Sequence, residues 1–472
     1  MKIGVTSAEH FASADFRLDP SLYLSEGMQI RKVLSKSPYK LTTIKDVSEK
    51  VFLGNIFSRV FVKDKVHGKT YLSASDTVLA NLETGRYLSN KQAEQLKQLW
   101  LKKDWILVTC SGTLGNVTYT NRTFEDKIAT HDLIRIVPND KYILKGVVYA
   151  FLSSKYGYYQ ITQSKFGGVV KHTNDKDIGN IIIPILPESI QTVINNLVQD
   201  SAILREESMD LLYKAESLLK KEVGLKDLTT EDYEYYGPHS PERSVACFTR
   251  TIKEIGTITI NAFNHSERVR DRILSKLYNK KHILLKDCLV DNKMFSPTGV
   301  NVIEVKEGHG IMLINQSDIF NTIVKGKWVK NNDKYSPHLL KYGEVLIAKI
   351  GTLSESESFC RCVYVGEDLV GQLISSAFYR LRTNDSMPSG YLYTWLNSDY
   401  GFRLIRYTQY GTKLCYPNPE LLYNFPIPVI EKEKMMEIDR LVREAHTKRH
   451  QANQKELKAI SIVEQEIEKW NN

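Results

Sequence analysis

Gly68-Lys69-Thr70, within HGKTYLSASD at 67–76, has the residue types that close a phosphate-binding loop. That chemistry needs a second glycine five positions before the glycine of Gly-Lys-Thr, so that backbone amides can curl round a phosphate. Lys63 occupies that position. The residues that follow, Thr70-Tyr71-Leu72-Ser73, alternate like a strand instead of opening a helix. A related stretch, HGIMLINQSD at 309–318, has Ile311 where the lysine would stand. A nucleotide site is therefore not expected, and the recurrence is the better clue. Cysteine chemistry is equally sparse. The six cysteines stand at 110, 247, 288, 360, 362 and 415, with no second pair at zinc-ligand spacing beside Cys360 and Cys362. Free buried thiols are expected and a metal site is not.

Bulk properties set the frame. At 472 residues the chain has room for about three domains. With 42% hydrophobic and 25% charged residues it has the composition of a globular protein. Nothing approaches a transmembrane run: IIIPILP at 181–187 is too short to span a bilayer and is broken by Pro184. The N-terminal MKIGVTSAEHF has no apolar h-region, so a signal peptide is not expected and the cytoplasm is. The net charge of +9 is compatible with a polyanionic partner such as DNA, although many basic proteins bind none.

The elements that must position any site are written twice. VLSK at 33–36 matches ILSK at 273–276, and IKDV at 44–47 matches LKDC at 285–288. The opening stretch and its relative share His67/His309, Gly68/Gly310, Ser75/Ser317 and Asp76/Asp318. ILVTCSGTLG at 106–115 matches VLIAKIGTLS at 345–354, and YAFLSSKYGYY at 149–159 matches YTWLNSDYGFR at 393–403. NIIIPIL at 180–186 matches NFPIPVI at 424–430. The offsets are 240, 241, 242, 239, 244 and 244, in one order along the chain, which marks an ancient duplication.

Each half repeats one plan. WILVTCSG and EVLIAKIG read as strands ending at glycine. YILKGVVYAFLSSKYGYYQITQ has apolar residues three and four apart and reads as a helix. A proline-containing exit follows, then a long helix. In the first long helix Ile190, Leu197, Leu204, Leu211 and Leu218 recur every seven residues, with Ile194, Ser201, Ser208 and Ala215 between them. The second supplies Ile438, Ala445, Ala452 and Ala459. A stripe of period 3.5 buries itself against another helix, and large residues facing alanines permit close approach. The bland alternative is that each helix packs only on its own globular region. The predicted order is a domain at 1–187, a helix at 188–225, a linker at 226–245, a domain at 246–430 and a helix at 431–472. This is an α+β architecture of two mixed α/β domains separated by two long antiparallel coiled-coil helices, with a pseudo-two-fold internal duplication.

Two similar domains held apart suit a partner with its own two-fold symmetry, and DNA grooves recur every 34–36 Å. The pieces YLSASD/MLINQSD, WILVTCSGTLG/EVLIAKIGTLS, FLSSKYG/WLNSDYG and IIIPILPESIQTVINNL together resemble the specificity subunit of type I restriction–modification systems, over nearly the whole chain. Two departures stand out. The second exit, FPIPVIEKEKMMEI, lacks the glutamine that Gln191 supplies in the first, and Ser354 replaces the second glycine of GTLG. A different start to the second helix and one altered turn are therefore expected.

The resemblance implies a subunit that makes no covalent change itself. It would select a bipartite double-stranded DNA sequence, one half per domain, and reach no membrane. Two methyltransferase subunits would methylate adenine with S-adenosylmethionine, and restriction subunits would cut unmethylated DNA with ATP and Mg. An adenine inside a duplex must be flipped out to react, so clamping the DNA around it has a physical purpose.

Phosphate contact needs Lys, Arg or backbone amides, and base reading needs donors and acceptors at groove edges. The first half offers Arg59, Lys63, Lys65, His67 and Lys69, then Lys165, Gly167, Gly168, Lys171, His172 and Asn174 around a glycine turn. The second offers Lys325, Lys327 and Lys330, then Gln409, Gly411, Thr412, Lys413, Tyr416 and Asn418 at the matching place. For any single lysine a solvated face is the bland reading. For Gly112-Thr113, Gly351-Thr352, His67 and His309 it is a structural turn, and for Asp76 and Asp318 a cap. Two other classes compete. As a methyltransferase the chain would need a Gly-rich cofactor turn and an Asn/Asp-Pro-Pro-aromatic element, and SPYK, GPHS and NPEL do not fit. As a double-headed coiled-coil adaptor or scaffold it would show no specific DNA binding.

Overall fold

The computed structural model describes residues 25–163, 172–229, 248–266, 268–296 and 301–471, with 8, 23 and 232 besides. The chain divides into two compact units, residues 1–206 with 451–472, and residues 207–450.

In the first unit, helix α1 (Glu26–Leu34) is followed by β1 (Leu41–Thr43), β2 (Ser48–Leu53), β3 (Phe61–Val62), β4 (Gly68–Leu72) and β5 (Tyr87–Ser89). Helix α2 (Asn90–Gln95), β6 (Ile106–Thr109), β7 (Val117–Tyr119), β8 (Ile128–Ala129) and β9 (Leu133–Pro138) come next. Helices α3 (Lys145–Ser153), α4 (Lys155–Gln163) and α5 (Asp175–Gly179) then lead to β10 (Ile182–Pro184) and the long helix α6 (Glu188–Val223). One sheet has the order β2-β9-β6-β7 and the other β3-β5-β4-β8. Every residue of β6 is buried, as a β-branched and apolar run covered on both faces must be. β4 runs antiparallel to β5 but parallel to β8, with Tyr71 opposite Ile128. β1 and β10 close the globule as an antiparallel pair, Leu41 opposite Pro184.

The second unit repeats the central pairings in two sheets of three strands. Helices α7 (Ile252–Ile255) and α8 (Ser275–Tyr278) precede β11 (His282–Leu284), β12 (Ile311–Ile314), β13 (Lys327–Val329), β14 (Val345–Ala348), β15 (Cys362–Tyr364), β16 (Leu373–Ile374) and β17 (Phe378–Leu381). Helices α9 (Ser389–Asn397) and α10 (Asp399–Tyr407) follow, then β18 (Gln409–Tyr410), β19 (Tyr416–Pro417), α11 (Pro419–Tyr423), β20 (Pro426–Pro428) and the long helix α12 (Lys432–Glu468). β14 lies between β15 and β17 as β6 lies between β7 and β9. β12 takes β13 antiparallel and β16 parallel, and β11 pairs with β20.

The single helix expected over YILKGVVYAFLSSKYGYYQITQ is two, α3 and α4, broken at Ser154. Ser154 is extended (ψ 165) and its Oγ accepts a hydrogen bond from the Gly157 amide at 3.4 Å. A Cβ on Gly157 would sit 2.4 Å from the Leu152 Cα, so glycine lets the second helix fold against the first. Ser398 and Gly401 make the same corner between α9 and α10, with the serine accepting at 3.2 Å. The repeated Ser-x-x-Gly is therefore a helix corner.

α6 has Glu188 in its first turn and Lys220 and Lys221 in its last, which match the helix dipole, and Gly224 stops it at φ +69. In the first unit its N-terminal part packs antiparallel on the C-terminal part of α12. Asp200 meets Lys455 at 2.8 Å and Arg205 meets Asn453 at 2.9 Å, over a core that joins Ile194 and Val198 to Ala459 and Val463. In the second unit Glu207 meets Lys448 at 2.8 Å, and Ala215, Leu219 and Val223 share a core with Ile438 and Val442.

The α12 line Ile438, Ala445, Ala452 and Ala459 is fully buried. On α6 the fully buried line is Ile194, Ser201, Ser208 and Ala215, while Ile190, Leu197, Leu204, Leu211 and Leu218 are half-buried. The small residues sit at the centre because only they let the backbones approach, and the leucines flank them.

Candidate nucleic-acid interface

The sequence's basic residues have different neighbours in the two units. In the first, Lys63, Lys65 and Lys69 are exposed. Lys65 pairs with Glu83 at 3.1 Å, Lys69 lies 5.8 Å above the Trp100 ring, and His67 meets Asp64 at 2.9 Å. Burial would raise the Glu83 carboxyl's pKa, but Lys65 and Lys127 outweigh it and hold the pKa below the usual carboxylate value. Arg59 is also exposed, yet it is tied down, donating from Nε to the Tyr71 hydroxyl at 2.6 Å and from Nη2 to Thr130 Oγ1 at 3.3 Å. Between these cations Ile56, Val60, Phe61 and Val66 stand exposed. Asp76 is a cap, its carboxylate accepting from the Ser73 amide at 2.6 Å.

Of the glycine-turn residues in the first half, Lys165, Gly167, Gly168 and Lys171 lie outside the described residues. His172 bridges to Ser111, next to the Gly112 turn. Asn174 caps α5, accepting from the Asp177 amide at 2.8 Å.

In the second unit Lys325, Lys327 and Lys330 are exposed, with Lys327 at 3.2 Å from Glu304. The matching loop is a hairpin, β18 to β19, pairing Tyr410 with Tyr416. Gly411 turns it at φ +102, where a Cβ would meet the Leu414 carbonyl at 2.2 Å. Thr412 and Lys413 are exposed at its tip, Tyr416 is half-buried, and Tyr410 and Leu414 are exposed. Gln409 differs from the expectation of a groove-facing amide: it is buried, and its backbone carbonyl accepts from Asn264 Nδ2 at 3.0 Å. Asn418 instead caps α11, accepting from the Glu420 amide at 2.9 Å.

Two residues that the sequence reading passed over join this hairpin. Tyr379 donates from its hydroxyl to the Pro417 carbonyl at 3.1 Å, and Lys349 Nζ lies 4.9 Å from the Tyr379 ring centroid. Burial raises the Tyr379 pKa to about 12 and lowers that of Lys349 below the ordinary lysine value. The hairpin is bolted to the turn after β14 by reciprocal backbone bonds between Gly351 and Cys415.

That turn is itself clamped. Glu355 binds Arg403 through both carboxylate oxygens, and Arg406, fully buried, donates to the Leu353 and Ser354 carbonyls at 2.7 Å each. Arg361, Arg403 and Arg406 all lie against the Phe402 ring. The replacement of glycine by Ser354 thus accompanies a turn held by arginines. In the first unit Gly115, at φ +93, lets the Tyr158 ring approach to 2.4 Å from where a Cβ would stand.

Residues 36–200 match the family described as the type I restriction modification DNA specificity domain. Solved structures similar to the chain include the S subunit of a type I restriction-modification system from M. genitalium, at 12% identity over 92% of this chain and 96% of that one, with a TM-score of 0.33. They also include the HsdS subunit from Thermoanaerobacter tengcongensis, at 12% identity over 92% and 98%, with a TM-score of 0.27. No curated protein matches the chain. The specificity-domain match ends within α6, and the second half repeats the central strand pairings of the first.

Residues 36–200 hold one cysteine, Cys110. Cys110 is buried, and burial pushes its pKa up to about 12. No helix among the described residues is long and apolar enough to cross a membrane.

Proposed function

We propose that the chain is the DNA sequence-specificity subunit of a type I restriction–modification complex, each half reading one part of a bipartite target. The observation that carries this reading is the specificity-domain match over residues 36–200. The recurrence of the same strand pairings in the second half supports a second reading head. On this reading the chain makes no covalent change. It presents double-stranded DNA to two methyltransferase subunits, which would use S-adenosylmethionine, and to restriction subunits, which would use ATP and Mg. Its place of work is the cytoplasm, with the genome.

The exposed lysines, Lys63, Lys69, Lys325, Lys330 and Lys413 among them, suit phosphate contacts that position the duplex. Gel-shift titration of the chain with its methyltransferase partner tests this. Affinity for the target duplex should fall steeply as salt rises, because each phosphate contact releases counterions. Sequencing of methylated adenines should return a two-part motif. A complex that methylates without sequence preference, or that binds no DNA at low salt, overturns the reading.

A further inference from the structure

Lys349 is the first residue beyond β14, at the edge where the hairpin Gln409–Pro417 is fastened. It is half-buried, and an ammonium in that position normally faces a carboxylate. Among the described residues none lies within ion-pair distance of it. Of its three N–H donors, one goes to Ser296 Oγ, which is the one acceptor the described residues offer. Its other stabilising contact is the Tyr379 ring, 4.9 Å away, and a cation over an aromatic face contributes only about 0.5–2 kcal/mol. The side chain is therefore aimed and partly desolvated, with donor capacity left over, beside a hairpin that exposes Tyr410 and Lys413.

The corresponding place in the first half has none of this. Val108 pairs with Ile134 where Ile347 pairs with Tyr379, so Ile134 stands for Tyr379 and Cys110 for Lys349. Both Ile134 and Cys110 are buried. The frame needs no charge there, and the Tyr379 phenol is accounted for by its bond to the Pro417 carbonyl, so Lys349 is the residue that folding leaves unexplained.

Resting on the reading of the chain as a DNA-specificity subunit, we propose that Lys349, oriented by Tyr379 and Ser296, is a specificity-determining residue of the second half that donates to a guanine edge in the major groove. Guanine is the base that presents two acceptors, O6 and N7, to a lysine there. A phosphate would be served equally well by the solvated lysines already at the surface, and it has no use for a lysine whose direction is fixed.

The test uses the full chain with its methyltransferase subunits and a set of duplexes in which each base of the second half-word is replaced in turn. In Lys349→Met the preference for guanine at one position of that half-word should fall roughly tenfold to hundredfold. The other positions, and the whole first half-word, should stay as they were. The first half-word also reports whether the variant is folded and assembled. If Lys349→Met fails to assemble, Lys349→Gln, which stays polar but is uncharged and one methylene shorter, takes its place with the same expected loss. A variant that keeps the full motif overturns the inference, and so does one that weakens binding equally across all sequences. Wild-type protein with no motif at all would instead remove the specificity-subunit reading itself.

Discussion

β6 in the first unit and β14 in the second hold the same place in their sheets, yet what surrounds their ends is chemically opposite. β6 runs into Cys110, a buried thiol, and then into a glycine turn that admits the Tyr158 ring. β14 runs into Lys349 and a turn clamped by Glu355 and arginines. The adjoining strands differ in the same way. Arg135 is fully buried and pairs with no carboxylate among the described residues, its guanidinium held by the carbonyls of Ala129, Thr130 and Leu133, and burial lowers its pKa to about 10. Its counterpart Arg380 is gripped by Glu344, at 2.7 and 2.9 Å, and by two carbonyls. Strand pairing has survived the divergence of the halves while the means of satisfying buried charge have not. At this strand the first half uses backbone oxygens alone, where the second adds an ion pair.

Breaking that contrast should have its largest effect at Glu344. Glu344→Ala leaves Arg380 buried without a countercharge and should destabilise the second unit by about 3–5 kcal/mol, against about 1–3 kcal/mol in the first unit for Arg135→Met, which strands only carbonyls. Urea unfolding of both variants measures the gap, and equal losses would show that the two solutions are energetically alike. A middle-sized effect is expected at the helix starts. The Gly146 amide donates to Asn195 Oδ1 at 3.0 Å and the Gly390 amide to Asp439 Oδ1 at 2.6 Å. A Cβ on Gly146 would lie 2.7 Å from the Asn195 Cα, and one on Gly390 would lie 2.9 Å from the Asp439 Cα. Either glycine changed to alanine should cost about 1–3 kcal/mol, read by thermal unfolding, with the two losses matching if the frame is truly common.

Acid should separate the halves further. Burial would raise the Glu355 pKa, but Arg403 and its neighbours lower it below the usual 4.5. Its contribution is therefore complete above about pH 4.5 and is lost as pH falls through the lowered value. Tm of the wild type should drop more steeply than that of Glu355→Gln on acidification below that point, and parallel curves would show that the clamp is not electrostatic. The smallest effect is at Lys327, whose partner Glu304 is exposed. Lys327→Ala should change stability by less than about 0.5 kcal/mol, while the salt dependence of DNA binding loses about one unit of slope if the lysine meets a phosphate.

Much of the frame could be read from residue order. The duplication, the central strands and both long helices follow from apolar period and repetition, which are local signals. The parallel partners β8 and β16 are two residues each, too short to show a period. The coiled-coil seam was legible in spacing but not in depth, since leucines draw the eye where Ser201, Ser208 and the alanines do the close packing. The missing glutamine of the second exit has a spatial cause that no local pattern contains. Gln191 accepts from the Leu144 amide at 3.0 Å and donates to the Leu186 carbonyl at 2.8 Å. Leu144 precedes α3 as Pro388 precedes α9, and a proline has no amide to offer, so Met435 fills the glutamine's place as an apolar, buried residue. The site was the least legible part. Lys349 reads as one more solvated lysine until Tyr379 and the hairpin are seen around it.

The three-rung ladder between Leu41–Thr43 and Ile182–Pro184, with its counterpart at His282–Leu284 and Pro426–Pro428, fastens the entry and exit of each globule side by side. Everything between the two rails is a cassette with adjacent ends. A genetic crossover falling in both rails would transplant an entire cassette while leaving the joints intact. On the proposed reading, new target words would then arise by exchange of whole blocks as well as by single substitutions.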